Sequence, residues 1–219
     1  FMLIGHRKGM TVEENIAFNF GMANPEGYRK AMRLMHLAEK WSLPVVTLVD
    51  TSGAFPGLEA EARGQAEAIG RNLMEMAALE TPIVTIVTGE GGSGGALGIA
   101  VGDRVLMLQY AVYSVISPEG CASILWRDGT KAAEAAKALH ITSKDLAELG
   151  VIDGIVPEPV GGAHNDPEAA MASVKAAVLE HLAALVGTSA SRLVEQRYKK
   201  FTAMGRFDAN AKTKTSSGK

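Results

Sequence analysis

Residues 89–98, GEGGSGGALG, are the part of the chain in which residue types and spacing point most directly to chemistry, because this stretch follows the apolar run PIVTIVT and contains six glycines. A dinucleotide-binding turn has the pattern G-x-G-x-x-G, which begins here at Gly89. A nucleophile elbow has the pattern G-x-S-x-G, which here makes Ser93 the nucleophile. In a third chemistry, backbone N–H groups at the start of a helix stabilise an oxyanion, and no side chain takes part.

The dinucleotide and hydrolase interpretations each fit the sequence incompletely. Nucleotide binding needs an acidic residue about 20 positions further on, and the corresponding stretch, LMLQYAVYSV, contains no Asp or Glu. A hydrolase needs an acid and a histidine after the serine, and Asp153 and His164 follow Ser93 in that order. The flanking glycines give the backbone more freedom than a nucleophile requires, but a serine hydrolase stays open as an alternative.

The number of glycines favours the oxyanion hole. A tight turn or a close helix–strand contact would explain one or two of them. Six in ten residues indicate that the backbone itself approaches something closely, and a helix beginning near Gly94 would present N–H groups without intrahelical acceptors. We interpret Glu90, which lies among the glycines, as orienting the loop, because a general base would need burial to raise its pKa.

The composition is typical of a soluble α/β protein that binds neither nucleic acid nor membranes. The 219 residues include 22 basic and 24 acidic side chains, and this balance favours neither partner. Cys121 is the only cysteine and has no metal-ligand spacing with the five histidines, so we expect no metal site. No apolar run approaches the ~18 residues of a membrane span, which predicts a cytoplasmic location.

Two segments of the chain repeat one another. PVVTLVDTSG follows the helical stretch PEGYRKAMRLMHLAEKW, and PIVTIVTGEGG follows the helical stretch EARGQAEAIGRNLMEMAALE. Each repeat has a proline, a β-branched run with threonine at the fourth position, and a turn that contains glycine. Two strand–turn–helix units in series predict neighbouring parallel strands, with both turns at the same carboxyl edge of the sheet.

The remaining elements follow from capping signals and periodicity. DRVLMLQ and VYSVIS are predicted strands, and SPEGCASILW begins a helix with Ser117 as its cap and Pro118 as its first residue. TSKDLAELGVIDGIVPEP predicts a short helix, a glycine stop and a final strand. Residues 167–186 form a helix whose apolar stripe must pack on the core or on another chain. The last predicted helix, SASRLVEQRYKKF, is basic, and we interpret its charges as a solvated face.

The chain resembles the α-chain family of the acetyl-CoA carboxylase carboxyltransferases of bacteria and plastids. The resemblance covers residues 1 to about 205 and is carried by GHRKG, NFGMANPEGYRKAMRLM, DTSGAFPG, RGQAEAIGRNL, GEGGSGGALGIAVGDRVLMLQYAVYSVISPEGCASILW and VIDGIVPEPVGGAH. In DTSGAFPG, Ser52 and Phe55 stand where the family has Pro and Tyr. The resemblance implies a crotonase-like α/β fold, a spiral of β-β-α units with flanking C-terminal helices.

The same resemblance implies a transferase that moves a carboxyl group from carboxybiotin to acetyl-CoA and gives malonyl-CoA for fatty acid biosynthesis. Gly94 and Gly95 would be catalytic, with their amides bonded to the ureido oxygen of biotin. The residues implied in binding on the biotin side are Gly91, Gly92, Ser93, Gly53 and Ala54. Another acyl-CoA substrate, or a decarboxylase on the same scaffold, stays open.

The implied partners belong to one ATP-dependent complex. They are a β subunit with a zinc ribbon that binds acetyl-CoA, a biotin carboxyl carrier protein and a biotin carboxylase, and the implied assembly is an α2β2 heterotetramer without activity in the isolated α chain. The implied location is the bacterial cytoplasm or the plastid stroma. We expect residues 1–205 to form a carboxyltransferase domain that lacks the family's N-terminal portion, and residues 206–219 to form a flexible basic tail.

Overall fold

The structure is a computed structural model that describes residues 1–205, so the predicted tail, residues 206–219, lies outside the described residues. Strands and helices alternate along most of the chain. The strands are β1 (Met2–Gly5), β2 (Val45–Thr51), β3 (Ile83–Gly92), β4 (Arg104–Leu108), β5 (Val112–Ser114) and β6 (Gly154–Val156). The helices are α1 (Val12–Ala17), α2 (Pro25–Lys40), α3 (Leu58–Ala62), α4 (Gln65–Ala78), α5 (Ser93–Leu97), α6 (Pro118–Trp126), α7 (Ala132–Leu139), α8 (Ser143–Glu148), α9 (Pro167–Leu185) and α10 (Ala190–Thr202).

The strands form a six-stranded sheet in the order β1-β2-β3-β4-β6, in which every pair is parallel. The short strand β5 lies off this path and pairs with the last three residues of β3. The predicted parallel arrangement is therefore confirmed. Because parallel strands share one carboxyl edge, the turns after β2 and β3 emerge side by side.

The internal repeat gives the two central strands matching positions. Val45 pairs with Ile83 and Thr47 pairs with Thr85, so each repeat is in register with the other. The hydroxyls of Thr47 and Thr85 lie 2.8 Å apart and are completely buried. Each hydroxyl thus satisfies the other inside an apolar core, where an unpaired hydroxyl would be costly.

Helices α2 and α4 pack together, and their buried side chains belong to the main core with those of β2 and β3. The core residues Tyr28, Met35 and Met76 have almost no exposed surface. The sequence predicts one helix across residues 61–80, but Gly64 adopts a φ of +83° and separates α3 from α4. Glycine tolerates this left-handed conformation and therefore ends α3 without strain.

Only part of the predicted apolar stripe of helix α9 is buried. Val178, Leu182 and Leu185 are buried, whereas Met171, nearer the beginning of the helix, is 63% exposed. Among residues 1–205, no single helix is long and apolar enough to span a membrane; α9 and α10 meet that criterion only as a pair bent by 116°.

The helix α10 is attached to the core by a buried arginine. The guanidinium of Arg197 pairs with both carboxylate oxygens of Asp103, each at 2.9 Å, and donates to the carbonyl oxygens of Met76, Leu79 and Thr81. Only 1% of Arg197 is exposed. The prediction that the charges of this helix form a solvated face is therefore wrong for Arg197.

Candidate functional site

The glycine-rich stretch forms the end of β3 and all of α5. The sequence predicts a helix beginning near Gly94, and α5 begins one residue earlier, at Ser93, with Gly92 as its N-cap. The first backbone N–H groups of a helix have no intrahelical acceptor. The predicted catalytic residues Gly94 and Gly95 lie in this first turn, and their amides are thus available to another acceptor.

Most glycines of the stretch are required by the packing of the protein itself. A Cβ at Gly89 would lie 2.6 Å from the Asp50 carboxylate, and a Cβ at Gly91 would lie 2.6 Å from the Tyr113 ring. At Gly92 and Gly95 the added atom would collide with the backbone of residues 52–54. Glycine at positions 92 and 95 therefore lets the turn after β2 lie directly against the turn after β3.

At Gly94 and at Gly53, in the turn after β2, the packing of the protein does not require glycine. A Cβ at Gly94 would meet only the Ile69 side chain, at an ordinary 3.7 Å, and a Cβ at Gly53 would meet nothing within 4 Å. Neither residue has a φ in the left-handed region. Glycine in a helix lowers stability by about 0.5–1 kcal/mol relative to alanine. The packing of the fold therefore does not explain why residue 94 is glycine.

The turn after β2 is organised by Thr51. The Thr51 hydroxyl donates to the Gly53 carbonyl at 2.6 Å and accepts from the Gly53 N–H at 3.2 Å. The amide of Gly53 thus has an acceptor within its own turn. The backbone nitrogen of Ala54, the other predicted binding residue of this turn, lies directly against Gly95.

Two buried polar side chains hold α5 from the opposite side. The Tyr28 hydroxyl donates to the Gly95 carbonyl at 3.1 Å, and the Asn72 amide donates to the carbonyls of Tyr28 and Gly98. Burial raises the pKa of Tyr28 well above its ordinary value, so the hydroxyl keeps its proton. The sequence places Tyr28 and Asn72 in two predicted helical stretches, but it does not reveal the hydrogen bonds that either side chain makes.

An apolar slot of about 290 Å³ opens beside Ser93 and Gly94. Burial raises the pKa of the Tyr113 hydroxyl in its wall to about 12, which keeps this group neutral. The slot can take a ligand that is mainly apolar and presents one polar group to the start of α5. Its lining residues are Ser93, Gly94, Leu97, Tyr113, Ser114, Val115, Leu139, Leu146 and Val151.

The groups needed for a hydrolase are not brought together. Asp153 accepts from the Val105 N–H at 2.6 Å and pairs with Lys200, and His164 lines a separate cavity beside Gly89. Within residues 1–205, neither side chain makes a hydrogen bond with Ser93. Ser93 has a left-handed φ of +53°, but no acid or base among residues 1–205 hydrogen-bonds to its hydroxyl.

A charged cluster lies beside the two turns. Lys8 Nζ is 2.8 Å from Asp50 Oδ1 and 2.7 Å from Glu90 Oε2. Burial lowers the pKa of Lys8, but its hydrogen bonds with the two carboxylates outweigh this effect and raise the pKa above its ordinary value. The pairing of Glu90 with Lys8 supports the interpretation that Glu90 orients the loop.

We expect the free energy of unfolding to fall as the pH is lowered from about 6.5 to about 4, with His6 contributing up to about 1.4 kcal/mol per pH unit. Burial lowers the pKa of folded His6 to about 4, whereas the unfolded chain takes up the proton near 6.5. Protonation therefore favours the unfolded chain in this window. His6→Asn should flatten the dependence below pH 6.5 and leave it unchanged above about pH 7.5, as measured by urea unfolding. A wild-type profile as flat as that of the variant would contradict the prediction.

Solved structures that superpose on this chain include a transcarboxylase, a malonate decarboxylase and a geranyl-CoA carboxylase. Transcarboxylase 12S superposes with a TM-score of 0.64 at 22% identity over 77% of this chain and 33% of that one. A Pseudomonas malonate decarboxylase hetero-tetramer in complex with coenzyme A gives a TM-score of 0.66 at 18% identity over 81% of this chain and 72% of that one. The fold is thus that of the crotonase-like carboxyltransferases, which confirms the predicted fold class.

The sequence defines the family more narrowly. Residues 1–205 match the family described as acetyl co-enzyme A carboxylase carboxyltransferase-like, and the chain belongs to this family. It is 64% identical over 206 residues to the acetyl-coenzyme A carboxylase carboxyl transferase subunit alpha of Geobacter sulfurreducens and 57% identical over 208 residues to that of Fusobacterium nucleatum. These matches cover 94% and 95% of this chain but 65% and 66% of the two relatives, so the chain spans about two thirds of their length.

Proposed function

We propose that this chain supplies the biotin-facing half of an acetyl-CoA carboxyltransferase site. The observation that carries the proposal is the difference among the glycines of the site. Gly92 and Gly95 are needed for packing, whereas Gly53 and Gly94 are open, and Gly94 adjoins an apolar slot. Family membership and the names of the relatives support the same assignment.

In this proposal the backbone, rather than a reactive side chain, performs the chemistry of this chain. Bound carboxybiotin would supply the carboxyl group, the slot would hold its apolar portion, and the amides of Gly94 and Gly95 would donate to the ureido oxygen. Donation to this oxygen would stabilise the negative charge that develops as the carboxyl group leaves. One such donor is worth about two to three orders of magnitude in rate in other enzymes.

The partners follow from the same proposal. The relatives are named as α subunits, and we propose that a zinc-containing β subunit binds acetyl-CoA opposite the glycine turns. The biotin would arrive on a carrier protein that a biotin carboxylase has loaded, in an α2β2 assembly in the bacterial cytoplasm or the plastid stroma. The Gly91, Gly92 and Ser93 backbone would line the path of the biotin.

A reconstitution experiment tests the function. We expect the chain to form malonyl-CoA from acetyl-CoA and carboxybiotin only when a cognate β subunit is added, and the two chains should elute together on size exclusion. Propionyl-CoA in parallel reports on the acyl group. Full turnover by this chain alone, or no turnover by a stable complex with the β subunit, would refute the proposal.

We expect Ser93→Ala to retain carboxyl transfer within about threefold, because no side chain among residues 1–205 hydrogen-bonds to Ser93 and could make it a nucleophile. A serine-directed fluorophosphonate should leave the wild-type chain unlabelled, as measured by intact mass. Stoichiometric labelling at Ser93 with loss of activity would instead establish the hydrolase alternative.

A further inference from the structure

The strand β3 is irregular where it passes Asp50. Val49 pairs with Val87 and Thr51 pairs with Gly91, so one residue of β2 lies opposite three residues of β3, Thr88 to Glu90. A bulge of this kind bends its strand and is common beside active sites. Beyond it, Gly91 pairs with Thr51 of β2 on one side and with Tyr113 of β5 on the other, and β3 continues into α5.

The Asp50 carboxylate holds this bulge. Its Oδ1 atom accepts from the Glu90 N–H at 3.0 Å, which gives an acceptor to a backbone group that the regular ladder has lost. Gly89 makes the approach possible, because any Cβ there would collide with the same carboxylate.

Lys8 joins the bulge to the end of β1. Its ammonium group lies between the carboxylates of Asp50 and Glu90, at 2.8 and 2.7 Å. Without this cation the two negative charges would repel each other across the bulge. The contact therefore links the carboxyl ends of β1, β2 and β3 at the point where both glycine turns begin.

We propose that Lys8 and Asp50 are positioning residues, which hold the bulge of β3 and thereby fix the turn at Gly53 against the start of α5 at Gly94. The expected effect of these residues on catalysis rests on the proposed function, whereas their role in ordering the two turns does not. An ion pair of this exposure contributes little to global stability. We therefore expect it to order the two turns locally rather than to stabilise the whole chain. Small displacements of a positioned reactant have large effects on rate.

Hydrogen exchange on the chain itself tests the structural part without any assay of activity. In Lys8→Met we expect peptides that cover residues 50–57 and 88–95 to exchange about tenfold faster, while peptides of α2 and α10 are unchanged. Lys8→Arg should restore the slow exchange. Arg71→Met, which breaks an exposed pair with Glu75 on α4, is the matched control and should leave both turns unchanged.

Kinetics of the reconstituted complex test the consequence. Lys8→Met should lower kcat about tenfold or more with the KM for acetyl-CoA unchanged, and Lys8→Arg should recover most of the loss. Asp50→Asn keeps an acceptor for the Glu90 N–H and should show a smaller effect of the same kind. Normal exchange in both turns of Lys8→Met, or faster exchange spread evenly over the chain, would overturn the proposal. A wild-type complex without turnover would refute the proposed function instead and leave the exchange result to decide this inference.

Discussion

Arg197→Met lowers the free energy of unfolding by about 3–5 kcal/mol, the range found when one partner of a buried ion pair is removed. The substitution leaves Asp103 as a buried carboxylate whose remaining contact includes the Ile83 N–H. It also removes a donor from the carbonyl groups of Met76, at the end of α4, and of Leu79 and Thr81, which precede β3. Since unpaired buried acceptors carry their full desolvation cost, the loss exceeds that of an ordinary ion pair.

Urea unfolding monitored by circular dichroism measures this effect. Arg192→Met on the same helix is the control, because Arg192 is exposed, and we expect a change within about 0.5 kcal/mol. Adding Asp103→Asn to Arg197→Met should recover part of the loss, because no buried charge then remains. Equal stability of Arg197→Met and Arg192→Met would show that Arg197 does not hold α10 in solution.

Neighbouring glycines of α5 are expected to respond in opposite ways. Gly95→Val lowers the free energy of unfolding by about 3 kcal/mol or more, because its Cβ would occupy the space of the Gly53–Ala54 peptide and the backbone cannot yield as a side chain can. Gly94→Ala leaves folding unchanged or slightly more stable, since alanine is the better helix residue and its Cβ has room.

For catalysis the expectation is different, because Gly94→Ala keeps the fold but should lose activity. We expect Gly94→Ala, in the assembled complex, to lower carboxyl transfer about tenfold or more while binding of acetyl-CoA is unchanged, because the methyl group would intrude where the biotin approaches the amides. Gly53→Ala tests the other open glycine in the same way. A folded Gly94→Ala complex with normal turnover would show that the space at Gly94 is not used, and Gly95→Val with wild-type stability would contradict the packing argument.

The sequence by itself determined the family and the α/β class of this protein. Period-3.6 stripes, strands rich in β-branched residues and a cap such as Ser117 are local signals, and the structure confirms this cap. The repeat in PVVT and PIVT also predicted adjacent parallel strands, because identical units pack in the same way. The domain boundary at residue 205 stays a prediction.

Only the tertiary structure decided which glycines the fold needs. All six glycines look alike in the sequence, but five of them are required by close neighbours in the fold, such as Asp50 beside Gly89 and Tyr28 beside Gly98, whereas Gly94 is not. Local periodicity carries no information about such neighbours.

The same limit applies to the charged residues. Lys8 lies 82 residues from Glu90, and Arg197 lies 94 residues from Asp103. From the sequence, a lysine in GHRKG and an arginine in a basic helix are ordinary surface charges. Folding places one across a bulge at the carboxyl edge of a parallel sheet and the other inside the core, because only there do carboxylates and free carbonyls compensate the loss of water.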